Sequence, residues 1–263
     1  MKLGFIGCGN MASAMIKGII DNDFCKASDI IVSAKTEATV SKAKEAFHVN
    51  TTLDNKEVAA SDIVVLSVKP IFYDAVINEI KDVVNENQLI ISIAPGKTLE
   101  WMKNLFGKNV KIVRSMPNTP ALVGEGMSAL CKNEFVNDAD LKLACDLFNS
   151  FGICEVIEER LMDVVVSASG SSPAYVFMFM EAMADAAVAD GMPRAQAYKF
   201  VAQSVLGSAK MMLETGSHPG ELKDMVCSPG GTTIEAVRVL EREGMRSAVI
   251  EAMKACTDKA RGN

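Results

Sequence analysis

The chain is short of the residues that many catalytic and metal centres are built from. It has two histidines in 263 residues, His48 and His218. His48 stands just before a short predicted strand and His218 lies in a G-S-H-P-G turn. Neither has an Asp, Ser or metal-ligand partner at readable spacing, so both read as structural and no metal is expected. The seven cysteines (Cys8, Cys25, Cys131, Cys145, Cys154, Cys227 and Cys256) are odd in number and contain no C-x-x-C pair. That excludes a disulfide framework and points to free thiols in a reducing compartment. Cys8 and Cys227 lie beside glycine motifs, where they read as small buried fillers rather than nucleophiles. A basic surplus is also missing: the formal net charge is −6, and neither half is basic, which argues against nucleic acid as a partner. The longest apolar run, Ala174 to Met180, is too short to span a bilayer. The opening M-K-L-G-F-I-G runs straight into a strand without a signal pattern. A cytoplasmic protein with no membrane partner is expected, and the chain carries no repeat or low-complexity tract.

What is present is a globular composition, 49% apolar and 23% charged, with length for one or two domains. Strand-like runs at Leu3–Ile6, Ile30–Val32, Ile63–Val68, Leu89–Ile93 and Lys111–Arg114 alternate with helical patterns, the βαβ signature of a parallel sheet. Pieces at Ser128–Cys131 and Ile153–Ile157, around a helix near Ala139–Phe148, extend it. Residues 1–160 are therefore expected to form one α/β doubly wound domain. Residues 161–263 are expected to be all α. In S-G-S-S-P, Ser172 is placed to cap a helix and Pro173 to occupy its first position. The segment that follows is apolar nearly all round, so it is expected to be buried against other helices or another subunit. Pro193 opens a second long helix that stops at Gly216, and a last helix begins near Met245.

Two glycine-rich turns open helices. G-C-G-N-M-A, from Gly7 to Ala12, follows the first strand. Gly7 permits the tight turn, Gly9 lets backbone approach a pyrophosphate, and the helix start supplies free N–H groups. The other reading is a tight βα turn without a ligand. The second strand ends near Ser33 in V-S-A-K-T, with no acid for a ribose 2′-OH. The hydroxyl and Lys35 favour a 2′-phosphate, unless Lys35 is simply a surface charge. S-V-K-P (Ser67–Pro70) and A-P-G (Ala94–Gly96) end central strands at the edge where open α/β sheets bind ligands. Lys69 there either touches cofactor or merely terminates a strand. Arg114, before S-M-P-N-T-P, is a candidate for organising a loop through carbonyls or a carboxylate. In S-P-G-G-T-T-I-E, Thr232 and Glu235 form a T-x-x-E capping box. The glycines and hydroxyls around that helix start suit an anion, or the stretch is only a cap.

G-F-I-G-C-G-N-M-A at Gly4, S-V-K-P at Ser67, R-S-M-P-N-T-P at Arg114, S-G-S-S-P-A-Y at Ser169 and H-P-G-E-L-K-D-M-V-C-S-P-G-G-T-T at His218 together resemble the pyrroline-5-carboxylate reductase family. The resemblance implies a Rossmann domain and a helical dimerisation and substrate-binding domain, assembled as a dimer or ring of dimers. It implies reduction of 1-pyrroline-5-carboxylate to L-proline with NADPH, NADH being possible, at the last step of proline biosynthesis. Carried onto this sequence, the cofactor contacts are Gly7, Gly9, Asn10, Met11, Ser33, Ala34, Lys35, Asn55, Val68, Lys69, Pro70, Ala94 and Gly96. Ser228, Gly230, Gly231, Thr232 and Thr233 would hold the substrate carboxylate through backbone amides, and the Thr233 hydroxyl would reach the ring nitrogen as the catalytic contact.

Two other functions compete. A β-hydroxyacid-dehydrogenase-like oxidoreductase shares the layout but expects a catalytic lysine on the helix that here reads S-S-P-A-Y-V-F-M-F-M. A non-catalytic NADP-sensing protein would not require the S-P-G-G-T-T cradle.

Overall fold

The computed structural model describes residues 1–262. The first compact unit comprises Met1–Ser171 and the chain from Cys256 onward, and the second comprises Ser172–Ala255. The expected division near residue 160 lies eleven residues before this one, and the return of the C-terminal end to the first unit was not anticipated.

In chain order the first unit runs β1 (Leu3–Ile6), α1 (Asn10–Asp21), β2 (Ile30–Ser33), α2 (Glu37–Phe47), β3 (Asn50–Thr52), α3 (Asn55–Ala59), β4 (Ile63–Leu66) and α4 (Tyr73–Ile80). It continues with β5 (Leu89–Ser92), α5 (Leu99–Phe106), β6 (Lys111–Met116), β7 (Gly126–Lys132), α6 (Asp138–Asn149), β8 (Gly152–Val156) and α7 (Met162–Val165). The eight strands form one sheet in the order β3-β2-β1-β4-β5-β6-β7-β8, parallel throughout except for β6 against β7. The order reverses between β1 and β4, and such a reversal leaves a crevice at the C-terminal strand ends.

Alternation along each strand divides the core in two. Leu3 and Phe5 of β1, Ile63 and Val65 of β4, and Leu89 and Ile91 of β5 pack on one face with Met15, Ile16 and Ile19 of α1 and Phe148 of α6. Ile6, Val64, Leu66 and Ile90 point to the other face, against Tyr73, Ile77 and Ile80 of α4 and Met102 and Phe106 of α5. Tyr73 is completely buried and its hydroxyl donates to the Leu66 carbonyl at 2.5 Å.

After α7 the chain makes a π-helical turn, Val166–Gly170, and enters α8 (Ser172–Ala189) almost without a break. The Ser171 N–H donates to the Val166 carbonyl at 2.7 Å. Ser172 is thus the first helical residue rather than a cap, and Pro173 is the second; the expectation of a capped boundary is corrected, because the incoming segment is already helical. Asn118 braces this turn, donating to the Ser169 carbonyl at 3.0 Å and accepting from the Met127 N–H at 2.9 Å.

The second unit contains α8, α9 (Arg194–Thr215), α10 (Pro219–Val226), α11 (Thr232–Arg242) and most of α12 (Met245–Ala260), with no strand among the described residues. α9 stops at Gly216, whose φ of 64° is left-handed. Its buried core is small, centred on Ala184, Ala197 and Val201. Phe177, Met178, Phe200, Leu213 and Ile250 are each more than 60% exposed in the single chain. The apolar segment of α8 is therefore not buried within its own chain, which leaves another subunit as its cover. No helix of the described residues is long and apolar enough to cross a membrane.

Candidate functional site

The turn after β1 is shaped by one glycine and left open by another. Gly7 has φ +101°, and a Cβ there would lie 2.8 Å from Val68 Cγ1 and 2.9 Å from the Ser67 backbone, so only glycine fits. Its N–H donates to the Ser33 carbonyl at 2.9 Å, and the Ser67 hydroxyl donates to the Gly7 carbonyl at 2.7 Å. Gly9 differs: its backbone is ordinary extended chain (φ −88°, ψ −173°), and a Cβ would meet nothing within 4 Å. The protein's own packing does not require glycine there, but a ligand approaching the backbone would.

Five helix starts are closed by side chains, whereas α4, α7 and α9 begin on Phe72, Leu161 and Pro193 without one. Thr36 caps α2, Asp54 caps α3, Thr98 caps α5, Asn137 caps α6 in a reciprocal box with Asp140, and His218 caps α10 through Nδ1. α1 and α11 instead begin on glycine, Gly9 and Gly231, with no side-chain cap. Their first-turn amides have no intrahelical partner and carry the positive end of the helix dipole.

A cavity of about 670 Å³ opens at the β1–β4 reversal, within the range of cofactor sites. Gly7, Gly9, Ala34, Lys35, Asn55, Val68 and Lys69 line it, together with Thr39, Leu53, Phe72, Val76 and Glu79. Uncapped amides, a clear approach at Gly9 and two lysines suit a dinucleotide's phosphates. Asn10 and Met11 are the first residues of α1, and Pro70 begins the 3-10 turn after Lys69. Ser33 lies behind the cavity: it is fully buried and its hydroxyl donates to Asn55 Oδ1 at 2.7 Å. Ala34 and Lys35 are what β2 presents to the cavity. Ala94 is buried, and Gly96 lines a different cavity of about 410 Å³ that also contains Arg114 and Glu159. Arg114 organises a loop, as expected of it. It is 3% exposed, and its Nη1 lies 2.9 Å from Glu159 Oε1, which also accepts the Leu99 N–H at 2.8 Å.

Sequence reasoning missed Phe72, Val76 and Glu79. They fall at positions i, i+4 and i+7 along one face of the helical stretch after S-V-K-P, a spacing that could have marked them.

In the second unit the Gly231 N–H donates to the Ser228 carbonyl at 3.0 Å, and Gly230 adopts φ +68°. Pro229 and Gly230 are thus the central pair of a tight turn that delivers the chain to α11. The T-x-x-E reading needs correction by one position. Gly231 in extended conformation is the N-cap, Thr232 is already helical, and Glu235 bonds Arg238 Nε at 3.0 Å instead of reaching back. Because no side chain closes this start, its amides remain available. Thr233 is half-buried, whereas Ser228, Gly230 and Thr232 are exposed.

All seven cysteines are free. Burial raises Cys8 above the usual thiol range and pushes Cys131 and Cys154 up to about 12. A thiol held protonated is a poor nucleophile. Among the described residues no group of His, Cys, Asp or Glu is arranged to hold a metal.

A doubly wound sheet with an uncapped glycine turn at its reversal point, followed by a helical unit, defines the class of Rossmann-type dinucleotide-dependent oxidoreductases. Residues 2–96 match the family model described as NADP oxidoreductase, coenzyme F420-dependent, and residues 159–263 match that of pyrroline-5-carboxylate reductase dimerisation. The pyrroline-5-carboxylate reductase of Escherichia coli is 52% identical over 98% of this chain and 97% of its own length. The solved pyrroline-5-carboxylate reductase of Coxiella burnetii superposes with a TM-score of 0.93 at 37% identity, covering 99% of this chain and 97% of that one. The Plasmodium falciparum pyrroline carboxylate reductase with NADP bound superposes with a TM-score of 0.90 at 35% identity, covering 100% of this chain and 97% of that one. The chain belongs to the pyrroline-5-carboxylate reductase family. Self-association through the helical part agrees with both the dimerisation match and the exposed apolar faces of α8 and α9.

Proposed function

We propose that this chain reduces 1-pyrroline-5-carboxylate to L-proline with NADPH, the last step of proline biosynthesis. The observation that carries the activity is the 52% identity to the Escherichia coli reductase over nearly the whole of both chains. The uncapped starts of α1 and α11 agree with it, since the reaction brings together two anionic reactants. The dinucleotide, when bound, supplies a hydride.

The residues of this chain bind and orient. Backbone amides at Gly9, Asn10 and Met11 take the pyrophosphate, and Gly7 shapes the turn that presents them. Ala34 and Lys35 take the adenosine end, with Lys35 favouring a 2′-phosphate, and Ser33 supports them from beneath. Asn55, Val68, Lys69, Pro70, Ala94 and Gly96 complete the cofactor contacts. In the second unit, the amides of Gly230, Thr232 and Thr233 and the Ser228 hydroxyl hold the substrate carboxylate, and Gly231, whose N–H is held by the Ser228 carbonyl, closes the turn that presents them. Thr233 hydrogen-bonds the ring nitrogen, which must gain a proton as its neighbouring carbon gains the hydride. Most of the rate gain in such a site comes from positioning, so no histidine or metal is required.

Residues 161–263 form the self-associating and substrate-binding part, assembled as a dimer or a ring of dimers in the cytoplasm. The test is NADPH oxidation with 1-pyrroline-5-carboxylate on the wild type and Thr233→Ala. The expected result is activity in the wild type and a loss of rate in the variant with NADPH affinity intact. No turnover by the wild type would refute the activity, and full activity in the variant would remove Thr233 from the mechanism.

A further inference from the structure

One carboxylate lines the dinucleotide cavity, that of Glu79 near the end of α4. Its Oε2 accepts a hydrogen bond from Asn55 Nδ2 at 2.8 Å, while Asn55 Oδ1 accepts from the buried Ser33 hydroxyl at 2.7 Å. The end of β2, the start of α3 and the end of α4 are joined through a single amide. The Ser33 carbonyl also receives the Gly7 N–H at 2.9 Å, which ties this chain of bonds to the glycine turn.

The two partners of Asn55 do different work. A hydroxyl both donates and accepts, so Ser33 alone would satisfy the amide in either orientation. An ionised carboxylate only accepts, so Glu79 dictates that the amide nitrogen faces it and that the oxygen faces Ser33. With one N–H and one lone pair committed, Asn55 keeps one N–H and one lone pair in fixed places for a ligand in the cavity it lines.

We infer that Glu79 is a positioning residue for the dinucleotide, holding the Asn55 amide in the orientation in which its free N–H serves the oxygen-rich ribose and phosphate groups. This rests on the reading of the cavity as the cofactor site. The charge itself works against an anionic ligand, so the benefit has to come through Asn55.

NADPH dissociation constants and steady-state rates on the purified full chain test it, for Glu79→Ala, Glu79→Gln, Asn55→Ala and the Asn55→Ala/Glu79→Ala pair. Glu79 is exposed, and alanine suits a helix, so these variants should fold. Glu79→Ala is expected to weaken NADPH about three- to tenfold, the worth of one hydrogen bond, with the effect on KM for NADPH rather than on kcat. Glu79→Gln can donate as well as accept, so it leaves the Asn55 amide free to take either orientation and should lose about as much. In the Asn55→Ala background, Glu79→Ala should add nothing further. Additive losses would mean that Glu79 touches the cofactor itself, and unchanged or tighter binding in Glu79→Ala would mean that it positions nothing; each overturns the inference. Gly9→Ala separates the two levels. Should it bind NADPH like the wild type, the cavity reading fails and the inference with it. If it loses NADPH while Glu79→Ala does not, only the inference fails.

Discussion

Gly7 and Gly9 are two residues apart in one motif, yet their replacement by alanine should fail in opposite ways. At Gly7, φ is +101° and the new Cβ would stand 2.8 Å from Val68 Cγ1 and 2.9 Å from the Ser67 backbone. The left-handed backbone costs an L-residue about 1–2 kcal/mol and the overpacking about 1–3 kcal/mol. A loss of roughly 2–5 kcal/mol lowers the melting temperature of a chain of this size by about 5–15 °C. At Gly9 the backbone is extended and the Cβ meets nothing within 4 Å. Alanine is a poorer N-cap than glycine, but it also restricts the unfolded chain, and these effects of up to about 1 kcal/mol oppose each other. The methyl group would instead stand where the pyrophosphate approaches, removing one or two charge-assisted hydrogen bonds of about 1.5–3 kcal/mol each. That is a ten- to hundredfold or greater loss of NADPH affinity at about 1.4 kcal/mol per factor of ten. Thermal unfolding without ligand, paired with a fluorescence titration of NADPH, reads both effects. A Gly9→Ala protein that melts like Gly7→Ala, or that binds NADPH like the wild type, would refute this division between a structural and a ligand-facing glycine.

Four further perturbations follow from the same geometry. Lys35→Glu should shift the NADPH-to-NADH ratio of kcat/KM toward NADH by about tenfold or more, since like charge replaces the partner of a 2′-phosphate; initial rates with both cofactors measure it. Arg114→Met should cost about 1–3 kcal/mol in urea unfolding, below the value for a fully buried pair because the Glu159 side chain is 32% exposed. Phe177→Glu with Phe200→Glu should shift light scattering toward the monomer, because both side chains are more than 60% exposed in the isolated chain and demand a cover. The Cys131 thiol, pushed by burial from 9.0 up to about 12, contributes stability that is full below pH 9 and is lost as pH rises toward 12, because the unfolded chain ionises first. Between pH 8 and pH 10 this group should account for a loss of stability on the order of 1 kcal/mol, and Cys131→Ala should show a correspondingly shallower decline.

The sheet was legible because its strands are β-branched runs spaced by helical patterns, and Leu3–Ile6 is read with the same bounds from sequence and structure. The direction of β7 was not marked by its own residues. It is implied by what precedes it: residues 117–125 are too few for a crossover that would return the chain parallel to β6. The fate of the Ser33 hydroxyl was hidden for another reason. Its partner, Asn55, lies 22 residues away, and no local pattern reveals that a hydroxyl at a strand end is consumed from within. The apolar face of α8 was visible as a face needing cover, although the single chain leaves it exposed. The start of α11 was misread by one residue, because T-x-x-E fits the capping pattern while the extended Gly231 already supplies the cap geometry.

That one-residue shift bears on function. Had Thr232 capped α11, its side chain would have met part of the demand of the first-turn amides, as Thr36, Asp54, Thr98 and Asn137 do elsewhere. Replacing a polar N-cap by glycine costs only a few tenths of a kcal/mol, so it sacrifices little stability while leaving the positive end of the helix open. The chain does this at the two starts that begin on Gly9 and Gly231. A protein that only sensed a dinucleotide would need the first of these. A reductase of an imino acid must hold a second anion, the carboxylate of its substrate, and the glycine-led start of α11 is where we propose that it does so.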